Sequence, residues 1–477
     1  MGRICRLPLL TMKHTSLLLA AALALAGCSS LGPARPFSYP GAAGTRLPHT
    51  VMQKLPNAEG SEIRLGGVGS ALAPHPTLPG HFYAMSDRGP NAATESARRP
   101  PGIIFPMPGY HPRIHLYRLD AAGAAELVQS ILLKDPQGRP VTGLPNKSFG
   151  STGETPYALD GSIVALDPDG DGIAGYDESG IDAEGLVALK DGSFWVSDEY
   201  GPHMVHFDAG GREIERINPF VADPRNRAGR TLPAELATRW PNRGMEGLAI
   251  TPDGKTLVGL MQSNLHNPDR SVGSINLTRI VTIHLDTGAT AQYLYRQDAA
   301  GLANSEIVAL SATRFLVIER DTQFLGIDAG KVRKNVYRID LEGATNVDRS
   351  NTALLASRPA LGSSAAHGLL VGGKTLEQVV REGGSADNFA AGWARLAALG
   401  LQPVSKTLVY DAVAAMQYPH DKLEGLWVID ANRLGLLNDD DFTLAPDGKG
   451  GVLQKKLHDG QVDRNMLYVV QPLVPLF

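Results

Sequence analysis

The chain has 477 residues, 43% of them apolar and 20% charged, with 53 glycines, 33 prolines and a net charge of −4. That is the composition of a soluble, turn-dense globular protein, and the acidic balance, with no basic run or aromatic stacking motif, excludes nucleic acid as the expected partner. Its two cysteines, Cys5 and Cys28, both lie near the start, so no disulfide can hold the remainder together.

Taken in order, Lys13-His14 precede an apolar run from Leu17 to Ala26, too short to cross a bilayer and of the length of a signal-peptide core. Met12 is an alternative start. The run ends in Leu25-Ala26-Gly27-Cys28, which resembles the bacterial lipobox, where cleavage leaves a lipid-modified cysteine as the first residue. Residues 1–27 are therefore expected to be a lipoprotein signal and Cys28 the lipidation site, the alternative being an ordinary signal peptide with a chance cysteine. Ser29 rather than Asp follows, which by the same resemblance implies the outer membrane, facing periplasm or exterior, with the lipid as the only membrane contact. Residues 28–58, rich in proline and small side chains, read as a tether. Residues 59–477 read as one repeat-built domain, and with no unpaired apolar stripe the expectation is a monomer.

The repeat is clearest from Ile181 to Ile217. Four short β-rich runs, EGLVALK, SFWVSDE, HMVHF and EIERI, are separated by turns at Asp191-Gly192, Tyr200-Gly201-Pro202 and Ala209-Gly210-Gly211, which predicts an antiparallel four-stranded meander opened by a two-residue hairpin. A weaker copy precedes it, from Gly66 to Pro90 with later strands in Arg113–Leu119 and Glu126–Leu133. Further copies open at Met245-Glu246-Gly247-Leu248, Asn304-Ser305-Glu306-Ile307 and Lys422-Leu423-Glu424-Gly425-Leu426. The marker glutamates 184, 246, 306 and 424 are spaced by 62, 60 and 118 residues, so one copy is degenerate or interrupted. The pattern predicts an all-β propeller of four-stranded antiparallel blades, six by this spacing and five to seven by its tolerance. Leu232–Trp240 reads as a short helix, and Lys374–Leu401 as a helical insertion filling the vacant slot.

In a hairpin the start of the first strand and the end of the second share one edge, and first strands line a propeller's axis. Counting outward from Asp191-Gly192 sets Glu184 opposite Glu199. The same count sets Glu246 near Gln262 and Glu424 near Asp439. Glu184, Glu199, Glu246, Glu306, Glu319 and Glu424, with Asp87, Asp198 and Asp439, are thus expected to converge at one channel mouth. Carboxylates this dense either take up protons or hold a cation, and an all-oxygen donor set favours a hard one, Ca²⁺ first. The competing reading is that each glutamate caps its own blade.

A second acidic element, Asp167-Pro168-Asp169-Gly170-Asp171-Gly172 with Glu178, has the spacing of a calcium loop on a β scaffold, the alternative being a solvated turn. Nucleophilic motifs are lacking: there is no G-x-S-x-G, H-E-x-x-H or C-x-x-C. Ser70, Ser86 and Ser197 read as packing choices, and His203, His266, His367 and His420 as loop residues among which a base could lie.

Asp182-Ala183-Glu184-Gly185-Leu186, Ser197-Asp198-Glu199-Tyr200-Gly201-Pro202 and Phe207-Asp208, with the Glu-Gly-Leu repeats and Ser86-Asp87-Arg88-Gly89-Pro90, resemble the signature of the bacterial phytase-like family, described as having esterase-like activity. The resemblance implies a propeller related to the alkaline phytases, with calcium at an acidic mouth and phosphate monoesters as substrates. No lysine- and arginine-rich phosphate cradle matches; Arg88, Arg243, Arg320 and Lys422 are candidates by position. The reading is a metal-dependent hydrolase of small ester or phosphoester substrates. Asp167, Asp169, Asp171, Glu178, Glu184, Glu246, Glu306 and Glu424 are its expected metal ligands, Glu199 or Asp198 its base, and Arg88 or Arg320 its anion holder. The alternative is a non-catalytic lipid-anchored propeller that binds an envelope protein or glycan.

Overall fold

The computed structural model describes residues 35–56, 60–94, 97, 100–326 and 331–477. The leader and Cys28 lie outside the described residues. Phe37–Phe477 form one compact body.

Five four-stranded antiparallel sheets are present among the described residues. The first comprises Ala71–Pro74, His81–Met85, Arg113–Leu119 and Ala125–Leu132, and the second Ala183–Ala188, Phe194–Asp198, His203–Phe207 and Glu213–Ile217. The third runs through Met245–Ile250, Thr256–Met261, Leu277–His284 and Thr290–Arg296, and the fourth through Ala303–Ala309, Arg314–Arg320, Lys334–Asp340 and Ser405–Asp411. The fifth is built from Gly425–Asp430, Arg433–Leu437 and Met466–Val470, and Thr45–Arg46 from the other end of the chain closes it as the outermost strand. The five innermost strands pack each against the next, and the last against the first, which makes the molecule a β-propeller.

The doubled spacing between Glu306 and Glu424 is therefore no missing blade. Residues 341–404 are inserted between the third and fourth strands of the fourth blade, carrying a small sheet and the helices Leu376–Glu382 and Ala390–Ala398. The first of these begins with a capping box on Thr375 and Gln378. The insertion docks on the third blade through Arg279, whose Nη2 lies 2.6 Å from the buried Glu377. The short helix expected at Leu232–Trp240 is a 3₁₀ turn, Ala234–Thr238.

Part of the expected tether also belongs to the fold. Besides the closing strand, Thr50–Lys54 pairs with Glu62–Leu65, and Tyr39 packs edge-on against Trp427.

Strand alternation explains how each blade feeds two cores. On the second strand of the second blade, Phe194 and Val196 pack with Tyr83, Met85 and Ile114 of the first blade, while Trp195 turns to Leu248, Leu257 and Val281 of the third. Each such side chain contributes about 1.5–3 kcal/mol on burial.

Candidate metal and active site at the channel mouth

The Glu-Gly-Leu repeat has a local cause. A β-bulge interrupts the innermost strand between Ala183 and Leu186, between Met245 and Gly247, and between Asn304 and Glu306, and the marker glutamates 184 and 246 sit within it. The glycine that follows lets the next blade approach: a Cβ on Gly247 would lie 2.7 Å from the Ile307 nitrogen, and one on Gly425 2.7 Å from the Leu72 Cβ. The first hairpin differs from expectation by one residue. Leu189 pairs with Ser193 across a three-residue loop, Lys190-Asp191-Gly192, with Gly192 at φ +89°. The loop and the bulge together set Ala183 beside Asp198 and Asp182, not Glu184, beside Glu199, whose amide donates to the Asp182 carbonyl at 3.0 Å.

At the mouth the ligand atoms of Asp87, Asp182 and Glu184 lie within 4.8 Å of one another, the one such convergence of three or more acidic, histidine or cysteine residues among the described residues. Burial pushes the carboxyls of Asp87, Asp182 and Glu184 above their usual range. Asp439 and Asp182 add to the effect on Asp87, and Glu246 and Asp182 to that on Glu184. Around them stand Glu199, Glu246 and Glu424, each also raised by burial. Asp439, buried and close to Asp441, is raised to about 8.

Three cations partly balance this charge. Arg88 Nη1 lies 3.2 Å from Asp182 Oδ2 and 3.7 Å from Glu154; Arg320 pairs with Glu424 and donates through Nε to Ser305 Oγ at 2.8 Å. Lys422 Nζ stands 2.7 Å from Asp441 and 3.2 Å from Asp439; burial opposes its charge, but Asp441, Glu424 and Asp439 outweigh it and raise its pKa. Lys422 is the most exposed of the three, with a quarter of its side chain accessible. Arg243, another positional candidate, lies on the exposed surface.

Several expected members sit elsewhere. Asp198 is fully buried, its Oδ1 accepting the Asp182 and Tyr200 amides at 3.0 and 2.9 Å. Its Oδ2 lies 3.9 Å from His203 Nε2, so it shapes the mouth from behind. Glu319 leaves the mouth for Lys406 Nζ, 2.7 Å away, and accepts the Tyr295 hydroxyl at 2.8 Å. Glu306 falls just past its bulge and takes the Ile307 amide at 3.0 Å, on the channel axis. Glu246 is engaged by Gln262, which also donates to Glu199 at 3.0 Å.

The acidic loop keeps its sharp turn, with Gly170 and Gly172 at positive φ. Its carboxylates do not converge. Asp167 accepts the amides of Gly170 and Gly172, Lys147 Nζ bridges Asp169 and Asp171 at 2.5 Å each, and Glu178 accepts the Ser148 and Phe149 amides.

The histidines are held structurally: His203 is buried and its pKa lowered by burial and Arg216, His266 is lowered to about 4 by burial, His367 bonds Asn267, and His420 lies between Asp463 and Tyr468. Ser86 and Ser197 are taken up by Tyr110 and by the Glu246 carbonyl. Asp182, Glu154, Asp421, Lys455 and Asp463 escaped the residue count because they lie in loops outside the strand pattern. Asp182 alone carried a signal, by its place directly before the first bulge.

The phytase-like family model, described as the esterase-like activity of phytase, matches residues 63–442. An uncharacterised secreted protein of Arthroderma benhamiae is 32% identical over 251 residues, 45% of this chain and 48% of that protein, so the match spans about half the relative's length. Among solved structures, the PQQ-bound aldose sugar dehydrogenase of Streptomyces coelicolor aligns with 11% identity over 90% of this chain and 99% of that one, at a TM-score of 0.30. A protein from Lactobacillus plantarum aligns at the same identity and score over 90% and 97%. Likeness at that level carries no argument about activity. The family match covers most of the propeller, including every blade's innermost strand, and the chain belongs to the phytase-like family.

Proposed function

We propose that the protein is a cell-envelope hydrolase of small anionic esters or phosphoesters, working at the channel mouth with a bound divalent cation, Ca²⁺ foremost. The observation that carries the reading is the convergence of Asp87, Asp182 and Glu184. Three buried carboxyls raised in pKa favour an added positive charge, and Asp182 Oδ2 faces Arg88 Nη1 at 3.2 Å without making a hydrogen bond, so the donor set fits a hard cation. When bound, such a cation polarises an ester or phosphoryl oxygen and acidifies water.

The chain's own residues supply the rest. Glu199, its carboxyl pushed well above the usual range by burial and by Glu246 and Asp182, is the proton carrier and acts as base once a cation offsets that charge. Lys422, the accessible cation, holds the anionic substituent, with Arg320 and Arg88 behind it fixing Glu424 and Asp182. Asp198 positions the Asp182 amide.

The relative's description as secreted supports export, and among the described residues no helix is long and apolar enough to cross a membrane. Lipid attachment at Cys28, a monomeric state and an outer-membrane address complete the proposal.

The test is hydrolysis of p-nitrophenyl phosphate, p-nitrophenyl acetate and phytate, with calcium and with chelator, by wild type and by Asp182→Asn and Glu184→Gln variants whose melting is checked. Calcium-dependent turnover lost in folded variants supports the reading. Melting raised by calcium with no turnover on any substrate leaves the binding propeller in its place.

A further inference from the structure

Below the mouth the channel changes character. Where the other blades place Gly185, Gly247, Gly425 or Ala71 just before the first axial leucine layer, the fourth blade places Glu306. Glycine and alanine on the other four strands leave the axis clear, and one glutamate occupies it. Burial pushes its carboxyl well above the usual range, with Glu246 adding and the Ile307, Leu248 and Leu72 amides opposing; its Oε1 accepts the Ile307 amide at 3.0 Å. Its Oε2 is buried with no hydrogen-bond partner, in a residue 1% exposed.

That carboxyl closes the inner end of a cavity of about 190 Å³. Its walls are Leu72, Leu186, Leu248, Ile307 and Leu426 in the buried layer, and farther out half-exposed residues such as Ala188 and Ala309. Glu306 is the one ionisable side chain in that lining, and an ammonium beside it favours its charged form. The cavity thus opens at the ends of the innermost strands remote from the bulges, opposite the metal-fitting carboxylates. A dry apolar cavity of ~150 Å³ takes a molecule the size of benzene, so this one has room for a chain of six or seven heavy atoms. A buried carboxyl oxygen lacking a partner is costly, and it calls for a donor at the blind end.

We propose that this half of the channel is a second binding site, for a short aliphatic chain ending in a primary ammonium group, with the ammonium on Glu306 and the chain against the leucine layer. The head group follows from the charges: the side chain acting on Glu306 from above is Glu246, an acid, which repels a carboxylate head and attracts a cation. An alcohol head satisfies the oxygen but gains nothing from that field.

The test uses the full folded protein and calorimetric titration with n-hexylammonium, 1-hexanol and hexanoate as probes at pH 7.5. Saturating calcium keeps the ammonium from the mouth. The expected order is n-hexylammonium tightest, at least tenfold over 1-hexanol, with hexanoate undetected. Glu306→Gln should reduce the ammonium to the affinity of the alcohol. Ala309→Phe, which narrows the open end, should abolish both, while Glu184→Gln at the mouth should leave both unchanged. Equal binding of the three probes, no binding of any, or loss of ammonium binding in Glu184→Gln but not in Ala309→Phe overturns the proposal. The wild-type comparison decides even if a variant fails to fold. The outcome is independent of hydrolysis, because none of these probes is an ester.

Discussion

The Asp198 carboxylate accepts the backbone amide of Asp182 at 3.0 Å, tying the end of one strand to the loop that carries a candidate metal ligand. The same oxygen takes the Tyr200 amide at 2.9 Å. Asp198→Ala leaves two buried amides without an acceptor and is expected to cost about 2–4 kcal/mol, measured by denaturant unfolding. Asp198→Asn retains an oxygen acceptor and should cost less than half as much. If the residue were the base, the two substitutions would lower turnover alike at unchanged stability.

The glycines after the marker glutamates answer to the neighbouring blade. A Cβ on Gly247 falls 2.7 Å from the Ile307 nitrogen and 2.9 Å from the Glu306 carbonyl carbon, both backbone atoms. Gly247→Ala should therefore destabilise by about 1–3 kcal/mol. Gly362, on the inserted sheet, has nothing within 4 Å of such a Cβ, and Gly362→Ala should stay within about 0.5 kcal/mol of wild type. Comparable losses at both sites would remove close approach as the cause.

Arg320 and Glu424 form an ion pair in which both side chains are under 5% exposed. Breaking such a pair from one side strands a buried charge and costs about 3–5 kcal/mol. Glu424→Leu and Arg320→Met should each fall in that range, and the double variant should recover at least half of either loss. Additive losses in the thermodynamic cycle would show that the two act independently.

The sequence made the blades legible because strand period, turn residues and the Glu-Gly-Leu bulges are all local. Five four-stranded sheets among the described residues lie at the low end of the expected five to seven, and not at six, for a nonlocal reason: residues 341–404 have the length of a blade but are held by the third blade's Arg279 and their own core. Part of the 28–58 stretch reads as tether because the strand Thr45–Arg46 finds its partner hundreds of residues away, Thr45 pairing with Leu467. At the mouth, counting along hairpins located Glu246 beside Gln262 and Glu424 near Asp439, since those positions follow from register. It could not tell which way Glu319 turns, because Lys406 reaches it from beyond the insertion. Nor could it see that Lys147 bridges the calcium-like loop.

Stability without metal should fall as pH rises from about 5 to 8. Asp198 is raised to about 7 by burial, with Asp182 adding and Arg216 opposing. Asp439 is raised to about 8 by burial and Asp441, against Lys422 and Lys455. An acid whose pKa is higher folded than unfolded binds more protons in the native state across that interval, so unfolding is favoured as they are lost. Asp441, lowered against burial by Lys422 and Lys455, is ionised in both states above about pH 5 and does not offset the trend there. Melting in chelator should thus be higher at pH 5 than at pH 8, and calcium should narrow the gap. A melting temperature that climbs from pH 5 to 8 in chelator would contradict the buried-carboxyl account.

Two acidic groups compete as the calcium site, and the structure separates them. At the loop, Asp169 and Asp171 already hold the Lys147 ammonium at 2.5 Å each, and Glu178 accepts two backbone amides. A cation there has to displace a lysine and detach those amides. At the mouth, Asp182 Oδ2 faces Arg88 Nη1 at 3.2 Å without a hydrogen bond, longer than the lysine contacts of the loop, and its neighbours Asp87 and Glu184 are raised by burial. Calcium-dependent melting should therefore survive Asp169→Asn with Asp171→Asn and be lost in Asp182→Asn. Lys147→Met, which frees the loop acids, should add a second calcium-dependent transition to the one at the mouth. A calcium shift abolished by the loop pair and untouched by Asp182→Asn would move the metal site to residues 167–178 and leave the mouth as a charge network held by Arg88, Arg320 and Lys422.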